Sequence, residues 1–334
     1  PGALDRLGLY LGRRGLTSVA AITSQGLLAP IVQRMTAALD SQEIALLGSY
    51  EVSEPSFEEA SALLAKLPFG TQAILGVGGG KALDTAKYLA SLADLPYFAV
   101  PTSLSNDGFC SPNSSLTIQG RRRTMAASLP WAVIIDTDVC RHAPQNLWCS
   151  GVGDLVAKLT AVSDWRLAFH ARGTPMNDFA ALLSDATVYQ FAAHPDKDNE
   201  GVRLLGTALM LNGIAMEIAG SSRPASGSEH LISHALDRVG MHPRLHGLQV
   251  GTAAYVVSHL QGANTAFIGR LLEVTGFWDI IRKDPFVVQE WRQALVLAPS
   301  MKSDYYTILS HRDVWPEVEK LLQSDPYLSR CFIS

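Results

Sequence analysis

Charge is what this sequence has least of. Acidic and basic residues fill 17% of its 334 positions, against roughly 25% in an average soluble protein, while apolar residues reach 47%. That balance implies a large buried fraction, with some apolar surface covered by a second copy, so a homo-oligomer (dimer or larger) is expected. An excess of positive charge is lacking too. The formal net charge of −4 and pI near 6.2 leave no electrostatic footprint for nucleic acid. The one basic run, Arg121-Arg-Arg123, reads as a solvated hairpin tip. Cysteine is scarce: Cys110, Cys140, Cys149 and Cys331 show no paired spacing and no C-x-x-C. This argues against a disulfide framework and for a reducing, cytoplasmic setting. No apolar run approaches the ~20 residues that span a bilayer, so no membrane span is expected. The opening Pro1-Gly-Ala-Leu-Asp-Arg6 lacks a signal-peptide layout, and also an initiator Met.

What is present divides in two. Over roughly the first 145 residues, β-rich runs at 17–23, 43–47, 72–75, 97–100 and 131–135 alternate with helical patterns at 27–39, 57–67 and 81–92. Such alternation specifies a Rossmann-like parallel sheet with crossover helices. Residues 114–119 and 123–128, joined through Gly120, read as an inserted hairpin. Beyond about Gly151 the strands largely vanish. Helical segments follow at 153–168, 176–193, 200–219, 227–238, 246–261, 285–297 and 314–323, punctuated by Pro175, Pro195, Pro224, Pro243 and Pro299. The expected organisation is an α/β dinucleotide-binding domain, residues 1–148, and an all-α metal- and substrate-binding domain, residues 149–334. The cleft between them is the expected active site.

Two segments of the first domain carry nucleotide chemistry. Gly76-Val-Gly-Gly-Gly-Lys81-Ala-Leu-Asp84 follows an apolar strand and opens a helix. Consecutive glycines let a backbone approach a pyrophosphate, and the helix start offers free N–H groups. Neither G-x-G-x-x-G nor the P-loop pattern fits the spacing. Pro101-Thr-Ser-Leu-Ser-Asn-Asp-Gly-Phe-Cys-Ser-Pro112 follows the next strand and adds hydroxyls, an amide and one carboxylate, Asp107. Hydroxyls suit a carboxamide and a ribose, and Asp107 suits a polyhydroxylated substrate.

In the second domain, Asp154, His230 and His246 are candidate ligands of one catalytic metal. Asp154 lies in Ser150-Gly-Val-Gly-Asp-Leu-Val-Ala-Lys158, read as a tight glycine turn opening into a helix. Ser226-Gly-Ser-Glu-His-Leu-Ile-Ser-His234 puts two histidines at i and i+4 on one helical face, and His246 opens a further apolar helix. Three protein ligands leave a position open for substrate, which separates a catalytic from a structural site. Two imidazoles and a carboxylate suit zinc, and also iron or nickel, so ligand type alone does not choose among them. His142, His170, His194, His242, His259 and His311 read as hydrogen-bonded packing residues, Trp165 as core, and Lys158 as a structural charge partner of Asp154.

Together these segments resemble the sn-glycerol-1-phosphate dehydrogenases, within the superfamily of iron-containing alcohol dehydrogenases, glycerol dehydrogenases and dehydroquinate synthase-like proteins. The likeness runs from about Thr17 to about Leu260 through the Gly-Gly-Gly-Lys-x-x-Asp loop, Pro-Thr-Ser-x-Ser-Asn-Asp-Gly, Gly-x-Gly-Asp-x-x-Ala-Lys, Asp164-Trp165, Ser-Gly-Ser-Glu-His-x-x-Ser-His and His-Gly. It implies that Gly78, Gly79, Gly80, Lys81, Asp84, Thr102, Ser103, Ser105 and Ser111 bind NAD or NADP. Asp107 and His234 would then serve the substrate, and Asp154, His230 and His246 the metal. The implied reaction reduces dihydroxyacetone phosphate, or a close phosphorylated ketone, to sn-glycerol 1-phosphate.

Read from residue types, the metal would polarise the carbonyl, nicotinamide would deliver hydride, and His234 would supply the proton. After the first strand, Thr23-Ser24-Gln25 presents no carboxylate against a 2′-phosphate, so NADPH is permitted. The rivals are a dehydroquinate or deoxyinosose synthase-like cyclase, a polyol dehydrogenase, and a nucleotide-binding module without catalysis. The cyclases commonly show Glu in place of Asp154 and His-Gly-Glu where this chain has His246-Gly-Leu248.

Overall fold

A computed structural model describes residues 1–242, 244–310 and 312–333. The expected breaker Pro243 and packing residue His311 lie outside that set. The chain forms two compact units, Pro1–Ala143 and Pro144–Ser334.

The first unit holds a five-stranded parallel sheet. Its strands are β1 (Ser18–Ser24), β2 (Ala45–Val52), β3 (Ile74–Gly78), β4 (Tyr97–Pro101) and, after the β5 (Asn113–Ile118) and β6 (Arg121–Ala126) hairpin, β7 (Ala132–Val133). The spatial order is β2-β1-β3-β4-β7, so the winding direction reverses between β1 and β3. Doubly wound sheets bind ligands beyond the carboxyl ends of their strands at such a reversal. Helices α1 (Leu7–Gly12), α2 (Ala29–Asp40), α3 (Phe57–Leu64), α4 (Gly80–Ala93) and α5 (Thr137–Arg141) complete the unit. β3 and β4 are buried along their whole length, as continuous apolar runs in a covered parallel sheet must be. The hairpin turns through Gln119 and Gly120, both at positive φ, which matches the twist of a two-residue turn. The second strand therefore starts at Arg121 and not at Arg123, and the three arginines are exposed strand residues.

The second unit is helical: α6 (Gln145–Arg172), α7 (Asp178–Ala192), α8 (Asn199–Ala219), α9 (Ser228–Val239), α10 (His246–Gln261), α11 (Thr265–Val274), α12 (Phe277–Lys283), α13 (Val288–Leu297) and α14 (Trp315–Ser324). A short bridge of β8 (Phe286–Val287) to β9 (Phe332–Ile333) accompanies them. By length and apolarity α8 could cross a bilayer, although 56% of its apolar window is buried inside the fold. α7 and α8 are joined by a buried Ser184–Asn212–Thr187 hydrogen-bond cluster, at 2.8 and 3.1 Å. Trp165 is core, 2% exposed, with its Nε1 donating to the Pro175 carbonyl at 2.9 Å.

One local expectation fails. Ser150–Lys158 is no glycine turn: α6 runs through it from Gln145. Gly153 serves helix contact instead. A Cβ on Gly153 would stand 2.0 Å from the Gly247 carbonyl oxygen, and one on Gly247 would stand 1.8 Å from that of Ser150. α6 and α10 thus cross with their backbones touching, as only small residues permit. Asp154 on one helix and His246 on the other flank that crossing.

Candidate active site

In the first unit the glycine loop sits at the sheet reversal. Gly78 ends β3 at φ +142, and a Cβ there would lie 2.2 Å from Ser24 Oγ. Both backbone and space therefore require glycine. Ser24 Oγ accepts the Gly79 N–H at 3.0 Å, tying the loop to the end of β1. Ser24, Gln25, Val52, Ser53, Gly79, Gly80 and Lys81 line a cavity of about 330 Å³, beside the N-terminus of α4. Lys81 is exposed and pairs with Glu54 at 2.5 Å.

The 101–112 segment is strapped to this loop from behind. The Thr102 N–H donates to the Gly78 carbonyl at 3.0 Å. Lys87, with no side-chain exposure, donates to the Gly108 carbonyl at 2.6 Å and to the Ser111 carbonyl and hydroxyl, both at 3.2 Å. Its ammonium also stands 3.5 Å from Asp84. Burial pushes the Asp84 carboxyl above its usual range despite Lys87, and burial likewise lowers Lys87 against the pull of Asp84. Asp84 thus faces inward, and the Ser111 hydroxyl is committed to the Asn113 carbonyl at 2.8 Å. Ser103 is 8% exposed, Thr102, Ser105 and Asp107 are half-buried, and Asp107 exerts its field on Lys87.

In the second unit Asp154, His230 and His246 converge. One ligand atom from each lies within 4.8 Å of the others. Asp154 is 1% exposed, its Oδ1 standing 3.5 Å from His230 Nε2 and 3.4 Å from Lys158 Nζ. Burial opposes ionisation of Asp154, but Lys158 and His230 overcome it and hold the carboxyl well below the usual carboxylate range. Burial also works against charge on His230, and Asp154 and Glu229 reverse that. The His234 ring lies 6.0 Å from that of His246 and 6.5 Å from that of His230.

Hydrogen bonds behind the imidazoles set their tautomers. His230 Nδ1 donates to Glu229 Oε1 at 2.9 Å. Glu229 is fully buried and further held by the Gly227 N–H at 2.6 Å and the Thr160 hydroxyl at 2.9 Å. Behind His246 runs a longer chain. Gln249 Nε2 donates to Asp237 at 3.1 Å, so Gln249 Oε1 accepts the Ser233 proton at 2.6 Å. Ser233 Oγ, its proton spent, accepts from His246 Nδ1 at 3.1 Å. Each ring therefore keeps its Nε2 for the shared point; at His230 that nitrogen stands 3.5 Å from Asp154 Oδ1, and the proton that Asp154 and Glu229 favour there is the one a bound cation would displace. A carboxylate held ionised and two such imidazoles are the donor set a divalent cation takes, and a carboxylate behind the imidazole is the usual outer partner.

A family model for iron-containing alcohol dehydrogenases matches residues 1–144. A glycerol-1-phosphate dehydrogenase (NAD(P)+) of Aeropyrum pernix is 35% identical over 329 residues, spanning 96% of this chain and 93% of its own. That of Thermococcus sibiricus is 39% identical over 244 residues, 71% and 69% of the two chains. This chain belongs to the glycerol-1-phosphate dehydrogenase family. Among solved structures it is similar to glycerol dehydrogenase from Schizosaccharomyces pombe, with a TM-score of 0.74 at 19% identity over 98% of this chain and 87% of that one. An iron-containing alcohol dehydrogenase from Thermococcus thioreducens gives 0.69 at 16%, over 99% and 96%. At those identities the likeness is one of fold, and it is the fold expected from the sequence.

Of the residues picked out in the sequence of this family member, Gly78, Gly79, Gly80 and Lys81 line or frame one cavity, and the three acid and imidazole groups share one point with His234 beside them. Asp84 and Ser111 instead belong to the Lys87 strut. Reading the sequence alone missed Lys87, Ser24, Glu229, Ser233, Gln249 and Asp237 as functional supports. Glu229 and Ser233 carried a signal, as members of the Ser-Gly-Ser-Glu-His-x-x-Ser-His segment.

Proposed function

We propose that this chain reduces dihydroxyacetone phosphate to sn-glycerol 1-phosphate with NADH or NADPH, as a cytoplasmic homo-oligomer. The observation that carries the reading is the convergence of Asp154, His230 and His246 with both imidazoles presenting Nε2, on a chain whose full-length relatives bear that activity in their names. Asp154, His230 and His246 would hold a divalent cation, zinc by preference, with nickel or iron open to the same donors. When bound, the cation supplies Lewis-acid polarisation of the carbonyl, worth several kcal/mol, and the reduced nicotinamide supplies the hydride.

The chain's own residues do the rest. The Gly78–Gly80 backbone and the start of α4 accommodate the dinucleotide phosphates. Thr102, Ser103 and Ser105 present hydroxyls to it, and Asp107 accepts from a substrate hydroxyl. His234, one helical turn beyond His230, gives the proton to the carbonyl oxygen as the alcohol forms. With Ser24 and Gln25 at the end of β1 and no carboxylate among the cavity's lining residues, a 2′-phosphate is tolerated. The four buried free thiols are in keeping with a reducing compartment.

The test is a substrate screen on metal-analysed protein: NADH and NADPH oxidation with dihydroxyacetone phosphate and dihydroxyacetone, followed by chiral analysis of the product. Turnover of the phosphorylated ketone to the sn-1 product supports the reading. Turnover of dihydroxyacetone alone replaces it with a polyol dehydrogenase.

A further inference from the structure

Two cations in the second unit, buried Arg223 and half-buried Lys302, lack the carboxylate partner that buried Lys158 has in Asp154. Arg223 is 5% exposed, and its Nη1 and Nη2 donate to the Tyr306 and Asp304 carbonyls, both at 2.9 Å. Lys302 Nζ donates to Ser222 Oγ at 3.2 Å. Both lean on one ring: the Arg223 guanidinium stands 4.0 Å and the Lys302 ammonium 4.4 Å from the centroid of Tyr305. The Tyr305 hydroxyl in turn shares a hydrogen bond with Ser222 at 2.6 Å. Among the described residues neither cation forms an ion pair with a carboxylate, whereas Lys158 nearby has Asp154. Two like charges around one ring repel, and partial withdrawal from water raises the cost. An arginine has five N–H donors and a lysine three, so each retains donors beyond the contacts just named.

The pair is fastened to the metal helix. Asp164 accepts the Ser228 N–H at 2.7 Å on one oxygen and the Ile308 N–H at 2.9 Å on the other. That clamps the segment bearing Lys302 and Tyr305 to the first turn of α9, two residues before His230. Glu229, which holds the His230 ring, acts electrostatically on both Lys302 and Tyr305.

We propose that Lys302 and Arg223, braced on Tyr305, form the subsite for the phosphate group of the substrate. Asp304 exerts an attractive field on both cations without pairing with either, and a phosphate dianion would add the direct, charge-assisted hydrogen bonds that no carboxylate supplies there. The inference rests on the phosphorylated-ketone reading above and assigns the groups that distinguish that ketone from dihydroxyacetone.

Because Arg223 also ties down backbone carbonyls, Lys302 is the cleaner probe. Lys302→Gln should lower the ratio of kcat/KM for dihydroxyacetone phosphate over dihydroxyacetone about tenfold or more, and Lys302→Arg should restore most of it. Independently of turnover, calorimetric titration of NADH-saturated protein with inorganic phosphate should show binding that weakens about tenfold in Lys302→Gln. Equal phosphate affinity in wild type and Lys302→Gln, or an unchanged substrate ratio in a folded variant, overturns the subsite. Failure of the wild type to reduce dihydroxyacetone phosphate overturns the substrate reading instead, and the phosphate titration then still decides the anion site.

Discussion

Lys87 in the first unit and Lys158 in the second are both shut off from solvent, each beside an aspartate on its own helix, at 3.5 and 3.4 Å. The separations match, yet the two acids behave oppositely. Asp84 is pushed up by burial in spite of Lys87. Asp154 experiences burial as well, but Lys158 and His230 together hold it down. Ion-pair distance does not set the charge state of a buried acid; the further neighbours do. Lys87 spends its remaining donors on loop carbonyls and becomes a strut, whereas Asp154 stays an anion between Lys158 and two imidazoles and becomes a cation site.

The largest test of that contrast removes each acid in turn. Asp154→Ala leaves Lys158 buried without its partner, which should cost about 3–5 kcal/mol in denaturant unfolding and abolish metal retention. Asp84→Asn should cost less, since Lys87 keeps the Gly108 and Ser111 oxygens as partners; equal losses would break the comparison.

Asp164, further along α6, sharpens it. Burial, then the charge of Glu229, raise its carboxyl from 3.8 to about 6. A raised acid stabilises the fold fully below the unfolded value, and that contribution disappears as pH climbs through the folded one. The wild type should therefore lose roughly 3 kcal/mol relative to Asp164→Asn between about pH 3.8 and pH 6. A flat difference across that window contradicts the assignment.

Glycine substitutions separate the units next. Gly247→Ala should wedge α6 from α10, costing about 1–3 kcal/mol and metal retention, with dinucleotide affinity kept. Gly78→Ala should do the reverse, weakening NADH binding measured by fluorescence while metal content persists. Smallest is Glu229→Gln, which keeps the shape behind His230 and loses the charge. Metal affinity by chelator competition should fall about 10–100-fold, and an unchanged affinity would make Glu229 a packing residue only.

Much of this was legible beforehand because it is local. β3 and the helix after it announce themselves by an apolar run, three glycines and a helical period. His230 and His234 stood out because histidines at i and i+4 share a helical face, and Asp154 and His246 by the Gly-Val-Gly-Asp and His-Gly segments that hold them. Glycines at 151 and 153 misled for an equally local reason: their poor helix propensity reads as a turn, and only a neighbouring helix at backbone contact explains Gly153. Lys87 carried no signal in the sequence, since nothing in its own segment reveals the Gly108 and Ser111 carbonyls that surround it.

The order of residues alone determined the alternating first unit, the helical second one and the identity of the acid and imidazole groups, because periodicity and turn chemistry act over a few residues. Tertiary structure decided which way burial and neighbours push each acid, which nitrogen of each imidazole turns to a supporting side chain, and that Lys302 and Arg223 share a single ring. Those properties come from groups far apart in the chain, and desolvation and Coulomb forces respond to distance in space.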